Sequence, residues 1–154
     1  MKNLLLVFTV IIASQISHSQ SYPEPQNGFK RVDLKLPKLE NEKNYKIEVR
    51  FSFEANVVDC SNADFSFNPK NLKTQYGANF NRFPYYVLEN DMAEISEGYS
   101  SECVTRNKVR RKLLSSQNLF IEYQSYYASP FYIPESWSVE YRIWNASEIY
   151  TTVK

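Results

Sequence analysis

The sequence has few glycines, histidines and cysteines, and each shortage excludes a class of function. The three glycines, at positions 28, 77 and 98, cannot form a glycine-rich phosphate loop or a dinucleotide-binding fingerprint. The only histidine is His18, so Ser-His-Asp triads and metal sites built on several histidines have little to draw on. A formal net charge of +1 offers no basic excess, which argues against nucleic acid as a partner.

Aromatic residues, in contrast, are abundant. The 154 residues include 12 Tyr, 10 Phe and 2 Trp. Such a composition is typical of a folded domain and not of a disordered or low-complexity chain, and the length fits one domain.

The first 19 residues have the pattern of an export signal. Lys2 gives a positive start, an apolar run covers Leu4–Ala13, and Ser17–Ser19 offers a small-x-small cleavage site. The run is shorter than the about 20 residues that cross a bilayer, so we expect no membrane anchor. Cleavage would leave residues 20–154, without His18 and with zero net charge. The alternative is a buried N-terminal strand or helix.

The two cysteines, Cys60 and Cys103, are interpreted in the light of that export. In an oxidising compartment two cysteines tend to pair. A disulfide closing this loop would stabilise the fold by about 4 kcal/mol. Two independent free thiols are the alternative.

The hydrophobic pattern is typical of β-strands. Residues 45–54 alternate between apolar and polar side chains, and residues 137–143 repeat the pattern. We therefore predict an all-β fold, a single-domain antiparallel barrel or sandwich. Only residues 88–97 are compatible with a short helix. The shorter predicted strands are Val32–Leu36, Val57–Cys60, Tyr85–Glu89, Leu119–Tyr123 and Phe131–Ile133.

An acidic run at residues 89–102 is followed at once by a basic cluster at residues 106–112. One interpretation of the basic cluster is an anion or polysaccharide site. We favour the other, in which two arms of a hairpin carry opposite charges on solvated faces and neutralise each other. The residues concerned are Glu89, Asp91, Glu94, Glu97 and Glu102, then Arg106, Lys108, Arg110, Arg111 and Lys112.

Several short motifs stand in a fixed order between Tyr22 and Ala146. They are Tyr22-Pro23, Gly28-Phe29-Lys30-Arg31, Val58-Asp59-Cys60, Tyr85-Tyr86-Val87, Cys103, Tyr123-Gln124-Ser125, Tyr132-Ile133-Pro134 and Val139-Glu140-Tyr141-Arg142-Ile143-Trp144-Asn145-Ala146. This order resembles the ecotin family, the periplasmic serine protease inhibitors of bacteria. The closing block and the two-cysteine frame are the most specific parts of the resemblance.

The resemblance implies a homodimer joined by exchanged C-terminal strands, with Trp144 as an interface anchor, and a disulfide between Cys60 and Cys103. It implies a protein without enzymatic activity or cofactor, located in the periplasm. Its partners would be serine proteases of the trypsin fold, which it would inhibit through a substrate-like loop.

In the family the reactive bond lies three residues before the second cysteine, which corresponds here to Ser100–Ser101. Tyr99 then precedes the residue that enters the specificity pocket, and Glu102 completes the loop. The best-known members carry methionine where this chain has Ser100. A small side chain suits a shallow pocket, so the resemblance implies a preference for elastase-like proteases. We expect the loop to be extended before it binds.

The resemblance also implies a second contact surface. Matching positions are Asn81, Arg82, Phe83 and Pro84 in one loop, and Glu122, Gln124, Tyr126 and Tyr127 in another. We take Arg82, Phe83, Tyr126 and Tyr127 as the contacts, since aromatic residues dominate interface hot spots. The alternative is that these rings are core or dimer contacts.

Two other functions fit a secreted all-β chain. One is a carbohydrate-binding or adhesive β-sandwich, whose surface aromatic rings would stack on sugars. The other is a glycosidase with paired carboxylates, which needs no histidine. No such pair stands out among the 17 acidic residues, so we do not favour the enzyme.

Overall fold

The computed structural model describes residues 22–77, 83–104 and 106–153, so the predicted export signal at residues 1–19 lies outside it. The described residues form ten β-strands and two single-turn 3-10 helices, at Glu42–Asn44 and Pro69–Asn71. The strands are β1 (Phe29–Leu34), β2 (Tyr45–Val58), β3 (Asn62–Ser66), β4 (Leu72–Tyr76), β5 (Pro84–Leu88), β6 (Glu94–Gly98), β7 (Lys108–Leu114), β8 (Leu119–Glu122), β9 (Ser129–Pro134) and β10 (Ser138–Asn145).

The strands form two larger sheets and one strand pair. One sheet has the order β1-β9-β5-β4. The other has β2 between β10 on one edge and β7 on the opposite edge, where β8 continues along the rest of β2. The pair consists of β3 and β6. The predicted all-β architecture is confirmed.

The long strand β2 shows how the alternation of the sequence builds the core. Ile47, Val49 and Phe51 are fully buried on one face, as the period of two predicts. Because no turn residue interrupts the chain, the two strands predicted at residues 45–54 and 57–60 are one strand that ends at Val58. The connection that follows this strand carries one end of the candidate site.

Both sheets contribute to one hydrophobic core. The ring of Phe51 in β2 meets that of Phe131 in β9, with centroids 6.3 Å apart. Trp137, just before β10, is 3% exposed and packs against Phe51, Phe53 and other rings. Edge-to-face and stacked aromatic pairs add about 0.5–1.5 kcal/mol each beyond their buried area. Two sheets around one aromatic core form a sandwich.

Three details differ from the sequence expectations. The helix considered at residues 88–97 is wrong, because Leu88 ends β5 and Glu94–Gly98 pairs with β3. The sheets are antiparallel except where β5 and β9 pair in parallel over two residues. Strands β3, β4, β6 and β7 were not predicted, since their apolar alternation is weak.

Across the described part of the chain, no helix has the length and apolar character needed to cross a bilayer.

Candidate inhibitory loop and dimer edge

The candidate site begins at the tight connection between β2 and β3. Cys60 lies in this connection and forms a disulfide with Cys103, with Cα atoms 5.4 Å apart. The predicted pairing is confirmed, and the alternative of two free thiols is wrong. Arg111 of β7 fixes the same connection, because its Nη2 donates to the carbonyl of Ser61 at 2.7 Å and to the Ser61 hydroxyl at 3.2 Å.

Strand β6 brings the other end of the loop to the same place. Its last residue, Gly98, pairs with Asn62, the first residue of β3. Glu97 accepts a hydrogen bond from the backbone N–H of Val58 at 2.9 Å, and this bond is the largest cause that lowers the pKa of the Glu97 carboxyl. The hydroxyl of Tyr99 donates to the same carboxylate at 3.3 Å. Both ends of residues 99–102 are therefore held on one short connection.

Between these anchors the four predicted loop residues, Tyr99, Ser100, Ser101 and Glu102, are all exposed. The backbone N–H of Cys103 donates to the Ser100 carbonyl at 3.0 Å. The loop therefore forms a turn, and the expected extended conformation at Ser100–Ser101 is not found. A turn arises because four residues connect anchors that both lie at the connection between β2 and β3.

The charged residues around this loop do not form the hairpin that we favoured. The acidic strand β6 pairs with β3, and the basic strand β7 pairs with β2, so the two runs are not hairpin arms. Two of the basic residues find carboxylate partners elsewhere: Arg110 binds Glu54 at 2.7 Å and Lys112 binds Glu140 at 2.8 Å. Paired exposed cations of this kind contribute little and favour no anion site.

The predicted second contact surface is partly assembled. Phe83 and Tyr127 come from different loops, and their ring centroids are 3.7 Å apart. Tyr126 is 84% exposed at the tip of its loop, so it is not a core residue. Arg82 and Asn81, the other residues predicted or matched in the first loop, lie outside the described residues.

The loop that carries these tyrosines is held by side chains. Gln124 spans it, with its Nε2 donating to the Tyr127 carbonyl at 3.0 Å and its Oε1 accepting from the Tyr127 N–H at 3.2 Å. Glu42 accepts from both the hydroxyl and the backbone N–H of Ser125. The Ser125 hydroxyl is the main cause that lowers the pKa of Glu42. Tyr126 is thus displayed on a fixed loop.

A buried carboxylate joins β10 to β2. Glu48 is 2% exposed on the face of β2 that points away from the core. It accepts hydrogen bonds from Arg142 and from the indole N–H of Trp144, at 2.7 Å for the indole, and from Asn118 at 3.2 Å. Arg50 also pairs with it at 3.1 Å. The hydrogen bonds from Arg142 first, and then from Asn118 and Trp144, lower the pKa of Glu48 to about 2.

Trp144 itself is an edge residue. It is 46% exposed, so the alternative of a core tryptophan is wrong for Trp144 and fits Trp137 instead. The Arg142 guanidinium lies 4.6 Å from the Trp144 ring centroid. Tyr141 and Ile143, on the opposite face of β10, are also more than 40% exposed. Strand β10 is therefore an edge strand of its sheet, and it exposes apolar side chains on both faces.

Stability should depend on pH through Glu48. Its pKa in the folded protein is about 2, below the ordinary value of 4.5. The ionised carboxylate therefore stabilises the fold fully above about pH 4.5, and this contribution is lost as the pH falls toward 2. We expect Glu48→Gln to lower the urea midpoint clearly at pH 7, because the amide N–H₂ would face donors, and to match the unsubstituted protein near pH 2.

Glu54→Gln is the matched control for this measurement, since Glu54 is an exposed carboxylate that pairs with Arg110. It should follow the unsubstituted protein at every pH. An equal loss for Glu48→Gln at pH 7 and at pH 2 would contradict the assignment of the effect to the charge.

The sequence reasoning missed Glu42 and Glu48, and it named Glu97 and Arg106 only as members of the charged runs. The three carboxylates belong to a sequence with 17 acidic residues, and their partners are distant along the chain. One signal was available for Glu48. Glu48 is one of the polar residues in the alternating pattern of β2. In the closing motif Arg142 and Trp144 are two residues apart, so a strand places both on one face.

Comparisons with known proteins cover most of the chain. The sequence pattern of the family described as Ecotin matches residues 18–146. Proteins named ecotin from two strains of Pseudomonas fluorescens are each 26% identical to this chain, covering 91% and 88% of it and 84% and 82% of the relatives. An ecotin from Serratia proteamaculans is 28% identical over 82% of this chain and 72% of the relative. The chain therefore belongs to the ecotin family of serine protease inhibitors.

Proposed function

We propose that this protein inhibits serine proteases of the trypsin fold by presenting residues 99–102 as a substrate-like loop with Ser100–Ser101 as the reactive bond. One observation carries the proposal. The exposed loop is anchored at one end by the pairing of Gly98 with Asn62 and at the other by the disulfide of Cys103. A loop that is ordered before binding loses less entropy when it binds.

The turn hydrogen bond at Ser100 must be broken when the protease binds. A trypsin-fold protease holds the reactive carbonyl oxygen with backbone N–H groups of its oxyanion hole. The Ser100 carbonyl now accepts from Cys103, so this bond must be exchanged for the protease donors. Because one hydrogen bond replaces another, the net cost is small, about 0.5–1.5 kcal/mol if the exchange is incomplete.

The side chain of Ser100 decides which protease is preferred. Serine has almost no apolar surface to bury in the deep pockets of trypsin or chymotrypsin, whereas elastase has a small pocket. A fully buried large side chain would contribute about 1.5–3 kcal/mol that serine cannot supply. We therefore propose a preference for elastase-like enzymes.

We also propose that two copies exchange β10 to form a homodimer, with Trp144 as an interface anchor. In the single chain β10 pairs with β2 over eight residue pairs, from Ser138 with Ser52 to Asn145 with Tyr45. Exchange would keep this register and every one of its hydrogen bonds between chains, so it costs little. The exposed apolar residues on both faces of β10 support a partner there, since exposed edge strands are normally covered.

In the dimer each protease would meet two surfaces. The loop of one subunit would fill the protease cleft, and Arg82, Phe83, Tyr126 and Tyr127 of the other subunit would form the second contact. The exposure of Tyr126 and the tilted ring pair Phe83–Tyr127 support this role. Two linked contacts can raise the overall affinity by about 10²–10⁴ without any new contact type. We place the mature chain, residues 20–154, in the periplasm.

A titration of the purified mature protein against pancreatic elastase, chymotrypsin and trypsin tests the proposal. We expect the tightest inhibition for elastase, one active site blocked per chain, and twice the chain mass by light scattering. If the protein inhibits none of the three enzymes and binds specifically to sugars on a glycan array, the proposal is contradicted and the carbohydrate-binding alternative is favoured.

A further inference from the structure

Arg106 touches both sides of the proposed reactive bond. Its guanidinium carbon lies 5.2 Å from the centroid of the Tyr99 ring, one residue before Ser100. Its Nη1 donates to the Cys103 carbonyl at 3.5 Å, two residues after Ser101. Of the basic cluster, Arg110 and Lys112 pair elsewhere, with Glu54 and Glu140. Arg106 lies over the ring of Tyr99 in the loop.

We propose that Arg106 is a positioning residue that holds the two flanks of the Ser100–Ser101 bond together, and so favours the intact inhibitor over the cut one. The inference rests on the proposed function. Glu97 fixes the hydroxyl end of Tyr99, and Arg106 covers the ring face, so the residue before the bond has little freedom.

The reaction concerned is the reversible hydrolysis of the Ser100–Ser101 bond by the bound protease. Water adds its oxygen to the Ser100 carbonyl carbon, the bond from that carbon to the Ser101 nitrogen breaks, and the products are a Ser100 carboxylate and a Ser101 ammonium group. The reverse step re-forms the peptide bond and releases water. The disulfide keeps the two pieces in one molecule, but Tyr99 and Ser100 could then pivot away from Gly98.

Contacts that cross the bond oppose this movement. Besides the turn hydrogen bond from Cys103 to Ser100, the contact of Arg106 with Tyr99 crosses the bond. The intact backbone holds the Tyr99 ring against Arg106, and this contact is weakened when the cut frees the Tyr99 end. A cation over an exposed aromatic ring changes an equilibrium by about two- to fivefold. Arg106 should therefore lower the ratio of cut to intact inhibitor by that factor.

The test measures this ratio directly. Mature protein is incubated with a catalytic amount of pancreatic elastase, starting separately from intact and from cut material, and the two forms are quantified after reduction by mass spectrometry. We expect Arg106→Ala to raise the cut-to-intact ratio about two- to fivefold. Arg106→Lys, which keeps the cation, should stay near the unsubstituted protein.

Arg110→Ala is the matched control, because it removes an exposed arginine whose carboxylate partner lies away from the loop. Equal melting temperatures of the variants would exclude a folding effect. An unchanged ratio in Arg106→Ala overturns the inference. So does a lower ratio, which would mean that Arg106 attracts the new carboxylate, or a lysine variant that behaves like alanine. If the unsubstituted protein neither inhibits elastase nor is cut at Ser100–Ser101, the proposed function itself fails.

Discussion

Replacing Ser100 with arginine is expected to tighten the inhibition of trypsin by about a hundredfold or more. Trypsin places an aspartate at the base of its specificity pocket, and Ser100 leaves that carboxylate without a partner. An arginine would add charged hydrogen bonds, worth about 1.5–3 kcal/mol each, and would bury its aliphatic stem. A hundredfold change corresponds to about 2.8 kcal/mol, which one such contact with stem burial supplies.

Inhibition constants for trypsin and elastase measure this effect, with Ser101→Arg as the matched control. The control adds the same charge one residue later, where the side chain would point away from the pocket. Ser100→Arg should lose inhibition of elastase, because the long side chain does not fit its small pocket. Tighter trypsin inhibition by Ser101→Arg alone would place the reactive bond one residue further along the chain.

Removing the disulfide with the double variant Cys60→Ala, Cys103→Ala is expected to lower the free energy of unfolding by about 4 kcal/mol. The link closes a loop with a sequence separation of 43 residues, so the reduced chain gains many unfolded conformations. For a domain with a total stability of about 5–15 kcal/mol, this loss is severe.

Urea unfolding with and without a reducing agent measures this contribution. The unsubstituted protein should approach the double variant when it is reduced, whereas the double variant should not respond. The variant should also be degraded by elastase instead of inhibiting it, because Cys103 no longer anchors the loop. A variant as stable as the unsubstituted protein would show that the connection between β2 and β3 holds without the link.

The sequence predicted those strands that bury the side chains of one face in the core. Residues 45–54 alternate between apolar and polar side chains because Ile47, Val49 and Phe51 enter the core. This alternation can be recognised in the sequence of the strand alone. Strand β6 (Glu94–Gly98) has one large apolar residue, Ile95, so only its pairing with β3 makes it a strand. Strand β7 carries the basic residues 110–112 and is a strand because β2 offers it an edge. Pairing between distant segments was therefore the missing information.

The candidate site divides in the same way. The disulfide could be predicted because two cysteines allow one pair. The loop residues are assigned by the resemblance to the family, through their distance from Cys103. The contacts of Arg106 with Tyr99 and of Glu48 with Arg142 depend on backbone paths that no local pattern encodes. The turn at Ser100 was unexpected for a related reason. The distance between the two anchors decides whether four residues extend or fold back.

The placement of both anchors on one connection has a consequence for engineering and for evolution. Because Cys60 and Asn62 are two residues apart, residues 99–102 form a cassette whose ends are fixed by the framework. Apart from Tyr99, which contacts Glu97 and Arg106, its residues are free to vary. None of the four is buried, so exchanging them disturbs no packing in the core. Grafting the cleavage sequence of another protease into this cassette would retarget the protein, while the sandwich and the β10 edge stay unchanged.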